Sequence, residues 1–342
     1  THHYGSRTDS YILTGDKTSS IDFSGATKVE RWYTICNIDV LAPKGSAAVG
    51  IIGNSITDGY GLHGGLQNRW TDVFSEKLLK NQGTEQVGVV NMGIGATLVT
   101  QPGNGAKSGV DRFEHDVLTI PGIQWIIIFY GVNDIGANVS ADNIINGLKK
   151  MVTAAHAKKL KVYGATITPF NGSNYYSAAH EKSRSDVNKW IRTDTSLDGF
   201  FDFDKAVRNP NDTTRLQQAL SNDWLHPSAA GYKVIGESID PKYFIPPVTV
   251  SRPVNYGMVT DRTLFVKQNG SCAFVTFTMP TKSFISLKVY SMLGKEITEL
   301  AGRSLDQGTH SIRFEPGNNA RGMYIFKLQS GPYLDCRSFI FQ

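Results

Sequence analysis

The chain has 342 residues, 40% apolar and 19% charged, which excludes the disordered and fibrous classes and points to two domains of about 100–200 residues each. The net charge of +5 is not the footprint of a nucleic-acid partner: residues 248–342 hold 11 Lys and Arg against 6 Asp and Glu, and residues 1–247 hold 24 of each. Every apolar run is shorter than the roughly 18 residues of a transmembrane helix. The start at Thr1, in the polar string THHYGSRTDS without a leader, is expected of a processed or truncated precursor.

In chain order, residues 1–45 form a β-rich lead-in with runs around Tyr11–Leu13 and at Trp32–Leu41, where apolar and polar residues alternate. Cys36 reads there as a buried strand residue. Pro43 and Gly45 punctuate the chain. Residues 46–245 then alternate strands with helices. The predicted strands are Ala47–Ile52, Val87–Met92, Ile123–Tyr130, Lys161–Ile167 and Phe200–Phe203. The predicted helices are Trp70–Leu79, Ala141–Lys159 with Ser140 as its cap, Ser177–Arg192 and Ala229–Ile239. Repeated β-then-α order, with a strand as uniformly apolar as Ile123–Tyr130, implies a parallel sheet covered by helices.

After Ile245-Pro246-Pro247 the pattern changes. Residues 248–342 show no amphipathic helix, only short aromatic and β-branched runs: Leu264–Lys267, Ala273–Phe277, Ser286–Tyr290, His310–Phe314, Met323–Leu328 and Ser338–Phe341. They read as an antiparallel β-sandwich. Cys272 and Cys336 either pair there or stand as two unpaired strand cysteines.

Four stretches in the α/β part carry chemistry. In VGIIGNSITDG, residues 49–59, an apolar strand runs into a turn that lifts the Ser55 hydroxyl from the C-terminal edge of a parallel sheet, where such folds place their sites. A serine needs a base to act as a nucleophile. Asp223-Trp224-Leu225-His226-Pro227 offers one: an acid three residues before a histidine can orient the ring through one nitrogen and leave the other free for a serine proton. Asn133, after the strand Ile123–Tyr130, can offer its amide to an oxyanion or simply make a turn. In Asn91-Met92-Gly93-Ile94-Gly95-Ala96, small residues such as Gly95 let a backbone N–H approach a substrate oxygen.

Taken together, in this order, the four stretches resemble the blocks of the SGNH (GDSL-type) hydrolase superfamily over about residues 46–240. The resemblance implies a three-layer α/β/α parallel-sheet domain, with Ser55 as nucleophile, His226 as general base and Asp223 as its orienting carboxylate. It also implies an oxyanion hole from the backbone N–H groups of Ser55 and Ala96 and the Asn133 amide. Two departures stand out: GNS in place of the common GDS, and Ala96 where the family usually has Gly. If the backbone there needs φ > 0, Ala adds strain. HHYGSRTDSYI and RWY resemble the lead-in of a subset of these hydrolases, in which a β-rich N-terminal region comes before. Residues 1–44 are then either strands of a β-domain made largely elsewhere or an arm wrapping the catalytic domain. LKVYSMLGKEITEL, residues 287–300, with Gly308-Thr309-His310 and Arg321-Gly322-Met323-Tyr324, resembles a type IX secretion sorting domain. The rival is a carbohydrate-binding module, but all five Trp lie outside this segment.

Other residues are weighed against plain roles. His63 is a candidate for lining the substrate cleft or an ordinary loop histidine. Asp58 is expected to bond turn backbone, and Arg112 to lie in a helix, at its surface or in a salt bridge. Lys158, Lys159 and Lys161 read as a solvated helix end. No cluster has metal-ligand spacing and no loop matches a phosphate or dinucleotide fingerprint, so no metal and no cofactor is expected. The expectation is a secreted or cell-surface bacterial serine esterase. It would remove short acyl groups, acetyl foremost, from plant polysaccharide such as xylan or pectin, with secretion machinery as partner of the C-terminal domain. The alternatives are a lipase or lysophospholipase and a non-catalytic polysaccharide-binding surface protein.

Overall fold

The computed structural model describes residues 2–3, 5–17, 21–33, 38, 40, 42, 45–103, 105–246, 264–269, 271–291, 295–317, 322–330 and 333–341. The chain divides into two compact units, Thr1–Thr249 and Val250–Gln342.

In the first unit, five apolar segments form one parallel sheet: β1 (Ala47–Gly53), β2 (Val87–Gly93), β3 (Ile123–Phe129), β4 (Lys161–Ala165) and β5 (Gly199–Phe201), in the order β2-β1-β3-β4-β5. The strand order reverses between β1 and β3, and at such a switch point the loops beyond the strand ends splay apart to leave a crevice. The register sets these ends level, with Gly53 opposite both Gly93 and Phe129. Helices α1 (Ser55–Asp58), α2 (Trp70–Lys80), α3 (Gly109–Phe113), α4 (Val132–Gly136), α5 (Ala141–Ala157), α6 (Ala178–Thr193), α7 (Phe203–Val207) and α8 (Ala229–Ser238) alternate with the strands. α2 packs on α8 and α8 on α7, while α5 packs on α3 and α6, giving the layers of an α/β/α sandwich. The predicted strands and helices appear within a few residues of their expected ends. Ser140 caps α5 through the Asn143 N–H at 3.3 Å. Val49, Ile51, Ile52 and Ile126–Ile128 are buried because helices cover both faces of the sheet. Trp70, Phe74, Phe129, Phe203 and Phe244 interlock edge to face below α2.

The lead-in forms two short antiparallel pairs, His2–His3 with Trp32–Tyr33 and Ser10–Ile12 with Thr27–Val29. The strand expected over Trp32–Leu41 is described only at Trp32–Tyr33, and Ile38 and Val40 are exposed. Residues 34–37, 39 and 41 of that expected strand lie outside the described residues. The reading of Cys36 lies outside the described residues.

The second unit is antiparallel throughout its described strands. β6 (Phe265–Asn269), β7 (Cys272–Met279) and β10 (Gly308–Phe314) make one sheet; β9 (Glu296–Leu305), β8 (Ser283–Ser291), β11 (Gly322–Ser330) and β12 (Tyr333–Phe341) make the other. Val275, Phe277, Ile285, Leu287, Val289, Phe314, Phe326 and Leu328 alternate inward into one core, the pattern of a β-sandwich. Strand β9 was missed among the apolar runs because Glu296, Glu299 and Arg303 break up its hydrophobic pattern at an outer strand. Cys272 and Cys336 are free thiols. Among the described residues, no helix is long and apolar enough to cross a membrane.

Candidate active site

Strand β1 ends at Gly53, where a Cβ would fall 2.2 Å from Thr57 Oγ1 and 2.7 Å from the Phe129 carbonyl. Only glycine lets α1 turn so tightly off the sheet. Asn54 caps α1 by accepting the Ile56 N–H at 3.1 Å. Ser55 is therefore the first helical residue, with its N–H pointing out of the helix start. Its Oγ lies 2.9 Å from His226 Nε2. His226 Nδ1 lies 2.8 Å from Asp223 Oδ2, while Asp223 Oδ1 accepts the N–H groups of His226 at 2.7 Å and Leu225 at 3.1 Å. A carboxylate can only accept, so Nδ1 carries the proton and Nε2 presents its lone pair to the serine hydroxyl.

Electrostatics favour that state. Burial pushes the His226 pKa below its ordinary 6.5, against the opposing pull of Asp223. Burial alone would raise the Asp223 carboxyl, but its hydrogen bonds from His226 and Leu225 prevail and hold it below the usual carboxylate range. The Tyr60 ring packs 4.2 Å from the His226 ring. The loop is pinned by Asn222 N–H to the His226 carbonyl at 2.9 Å and by Ser228, which caps α8.

Ala96 follows β2 with φ 59°, the left-handed region that costs an L-residue about 1–2 kcal/mol. Its N–H and that of Ser55 donate to no group among the described residues. Asn133, in the first turn of α4, donates from Nδ2 to the Thr97 carbonyl at 2.9 Å and accepts the Tyr175 hydroxyl at Oδ1 at 3.3 Å. One Nδ2 hydrogen of Asn133 remains without an acceptor among the described residues. Gly95 serves differently from its expected substrate contact, because its N–H goes to Asp58 Oδ2 at 3.1 Å. His63 is exposed and makes no hydrogen bond or ion pair among the described residues.

Several supporting residues escaped the sequence reading. Arg112, expected at a helix surface or in a salt bridge, is 4% exposed. It donates to the carbonyls of Gly53 and Met92 at 3.1 and 2.9 Å and to the Tyr130 hydroxyl at 2.9 Å, and pairs with Asp116 at 2.9 Å. It thus ties the ends of β1, β2 and β3 directly beneath the site. Tyr130 in turn meets Thr97 Oγ1 at 2.6 Å. Asp134 is wholly buried and accepts the N–H groups of Val99 and Thr100 and the Thr100 hydroxyl, which anchors the loop after Ala96. Burial nevertheless leaves its carboxyl above the usual range. Asp58 holds the Gly95 backbone on one oxygen and meets His3 Nε2 at 2.7 Å on the other. The lead-in therefore touches α1 through His3. A run of Asp or Arg letters carries no period that distinguishes such buried ties from surface charge. Among the described residues, no group of three His, Cys, Asp or Glu side chains is placed to hold a metal ion.

A family model described as GDSL-like lipase/acylhydrolase matches residues 51–234. Among solved structures, the chain is similar to a GDSL-like lipase from Bacteroides thetaiotaomicron, at 21% identity over 60% of this chain and 91% of that one, TM-score 0.45. It is also similar to a carbohydrate acetylesterase family member from Sinorhizobium meliloti, at 16% identity over 58% and 97%, TM-score 0.46. A third is a lipolytic G-D-S-L family protein from Veillonella parvula, at 18% identity over 56% and 96%, TM-score 0.44. A search of curated proteins finds no match.

Proposed function

This chain belongs to the GDSL-like lipase/acylhydrolase family, and from that premise we propose a secreted serine esterase that removes short acyl groups, acetyl foremost, from plant cell-wall polysaccharide such as xylan. The observation that carries the chemistry is the continuous relay from Ser55 Oγ through His226 to Asp223, at 2.9 and 2.8 Å. His226 Nε2 takes the hydroxyl proton as Ser55 Oγ bonds to the ester carbonyl carbon. The carbonyl oxygen becomes an oxyanion facing the N–H groups of Ser55 and Ala96 and Asn133 Nδ2, each donor being worth about 3 kcal/mol of barrier. As the intermediate collapses, the bond to the sugar oxygen breaks and His226 returns its proton to that oxygen. A water then repeats the sequence, its proton going to His226 and then to Ser55 Oγ, and releases the carboxylic acid.

The short-acyl reading is supported by the neighbourhood. Leu62, Leu98 and Val99 are buried rather than offered to a ligand, and an aromatic ring, Tyr60, packs on His226. Tyr60, 47% exposed above His226, suits a sugar ring better than an aliphatic chain. Export rests on the sequence of the second unit alone, and its partner would be secretion machinery.

Hydrolysis of p-nitrophenyl acetate by wild type and Ser55→Ala tests the enzyme. The variant is expected to lose activity by a factor on the order of 10⁶, and equal rates would overturn the reading. A p-nitrophenyl chain-length series should favour acetate over longer esters, and acetate release from acetylated xylan and pectin reports the polymer. Export is tested by expressing the chain with and without residues 250–342 in a bacterium that has this secretion route. Equal appearance outside the cell would remove that part of the proposal.

A further inference from the structure

Three segments converge beside the triad. A short strand, Asp212–Leu216, pairs with Arg208–Asn209. Asn171 joins this strand through its N–H to the Thr214 carbonyl at 2.9 Å and its Nδ2 to Thr214 Oγ1 at 2.8 Å. Trp224 stands one residue after Asp223 and two before His226. The guanidinium carbon of Arg215, on the short strand, lies 4.3 Å from the centre of the Trp224 ring. Trp224 has φ 64°, an outlier for so bulky a residue. It is held there by its N–H on Ser221 Oγ at 2.8 Å. Gly172, at φ 103°, closes the group, since a Cβ on it would fall 2.9 Å from Trp224 Cγ and 3.1 Å from Arg215 Nη2.

Arg215 differs from the arginines around it. Arg69, Arg112, Arg184, Arg192 and Arg208 each have a carboxylate within ion-pair distance. Arg215 has none within that distance and donates no hydrogen bond among the described residues; Asp212, three residues before it, acts on it through space only and is itself engaged by the Thr214 N–H and hydroxyl. Its Nε is buried without a partner, whereas its terminal nitrogens, equally unbonded, reach the surface. Stacking on the indole removes rotational freedom from the guanidinium, so a planar two-nitrogen edge is presented, with its donors unspent, against the residue next to Asp223. That edge matches a carboxylate bidentately. The triad's own carboxylate, Asp223, is engaged with His226 and Leu225 and does not compensate it.

We propose that Arg215 is a specificity-determining residue that pairs with the carboxylate of an acidic sugar, a uronic acid unit in the acylated chain, and that Trp224 positions it by stacking. The proposal rests on the esterase reading and narrows its substrate to acyl esters on uronate-bearing polysaccharide.

The test compares acetylated oligogalacturonate and acetylated glucuronoxylan oligosaccharides, each with its carboxyl-reduced counterpart, as substrates for wild type, Arg215→Gln and Arg215→Lys. Wild type is expected to prefer at least one acidic form by about 10- to 100-fold in kcat/KM, mainly through KM, with the preference falling as salt rises. Arg215→Gln should bring the ratio of acidic to reduced substrate close to one, and Arg215→Lys should restore part of it, because an ammonium supplies charge without the fork. Whichever uronate keeps the preference identifies the sugar. A wild-type ratio near one for both pairs overturns the proposal. So does a ratio that Arg215→Gln leaves unchanged while kcat/KM falls on every substrate, which is the mark of a packing role. Calorimetric binding of the unacetylated oligosaccharides to Ser55→Ala, with and without Arg215→Gln, reads the subsite apart from turnover. Binding that Arg215→Gln does not weaken would overturn the subsite even in an active esterase. Failure of Ser55-dependent hydrolysis of p-nitrophenyl acetate, with Arg215-dependent binding intact, would instead strike the esterase reading alone.

Discussion

The α/β unit buries Arg112, Arg184, Asp134, Asp204 and Asn188 among its apolar side chains, whereas the β-sandwich builds its core from Val275, Phe277, Leu287, Val289 and Phe326. The sandwich keeps pairs such as Lys288–Glu296 and Lys282–Asp306 at its surface. Both units have a hydrophobic core, and burial of apolar surface drives each fold. The difference lies in what the buried polar groups do. In the first unit Arg112 and Asp134 hold loops at the C-terminal edge of the sheet, where backbone groups would otherwise lack partners. In the second unit the strands satisfy one another's backbone, and hairpins need no such ties. Buried charge in this protein therefore marks the place where a parallel sheet opens its loops to a substrate. The +5 net charge arises from residues 248–342.

The largest expected effect on this contrast comes from Asp223→Asn. It keeps the shape of the triad but favours the wrong ring tautomer, and kcat should fall by a factor on the order of 10⁴. The pH profile gives the sign. Activity needs neutral His226, so the acid limb of wild type should lie below pH 6.5, with rate lost as pH falls through the lowered histidine pKa. Removing the Asp223 charge, which raises that pKa, should move the limb to lower pH still.

Arg112→Leu comes next. It strands the carbonyls of Gly53 and Met92 and the Asp116 carboxylate, so chemical denaturation should show a loss of about 3–5 kcal/mol. Lys288→Leu, the matching change on the sandwich, should leave the denaturation midpoint nearly unchanged. Equal losses would break the distinction drawn between the units.

Ala96→Gly should stabilise by about 1 kcal/mol or less, because relief of the left-handed alanine exceeds the added chain entropy only slightly. Its kcat should stay within about twofold if the N–H keeps its direction, a change well under 1 kcal/mol of barrier. The smallest effect is expected from ending the chain at residue 249. If the chemistry resides in the first unit, p-nitrophenyl acetate hydrolysis should persist, and its loss would tie the sandwich to catalysis.

The periodic elements were legible because burial on two faces writes itself into sequence. Ile123–Phe129 is apolar at nearly every position, and α5 repeats apolar residues on one face. Ser55, Asn133, Asp223 and His226 were legible as candidates because each follows a strand or precedes a helix in a set order. The salt bridge of Arg112 was among its expected roles, but its burial was not legible, since a helix of five residues offers no periodicity to tell its buried side from its exposed one. Gly95 was taken as a substrate contact because a small residue in a loop does not reveal that Asp58 already holds its N–H. Strand β9 was hidden by its own charges. The stacking of Arg215 on Trp224 could not be read at all, because eight residues and a change of direction separate them.

By itself the sequence determined the division into an α/β part and a β part, the strand–helix alternation and the set of residues available for chemistry. These follow from local hydrophobic period and local turn chemistry. Only the tertiary structure decided that Ser55 and His226, 171 positions apart, meet at 2.9 Å, that Ala96 is held at φ 59°, and that Arg215 alone among its neighbours has no carboxylate within ion-pair distance. Those outcomes depend on which strand ends the parallel sheet brings level and on which groups the packing leaves without partners. Neither is encoded within any one segment.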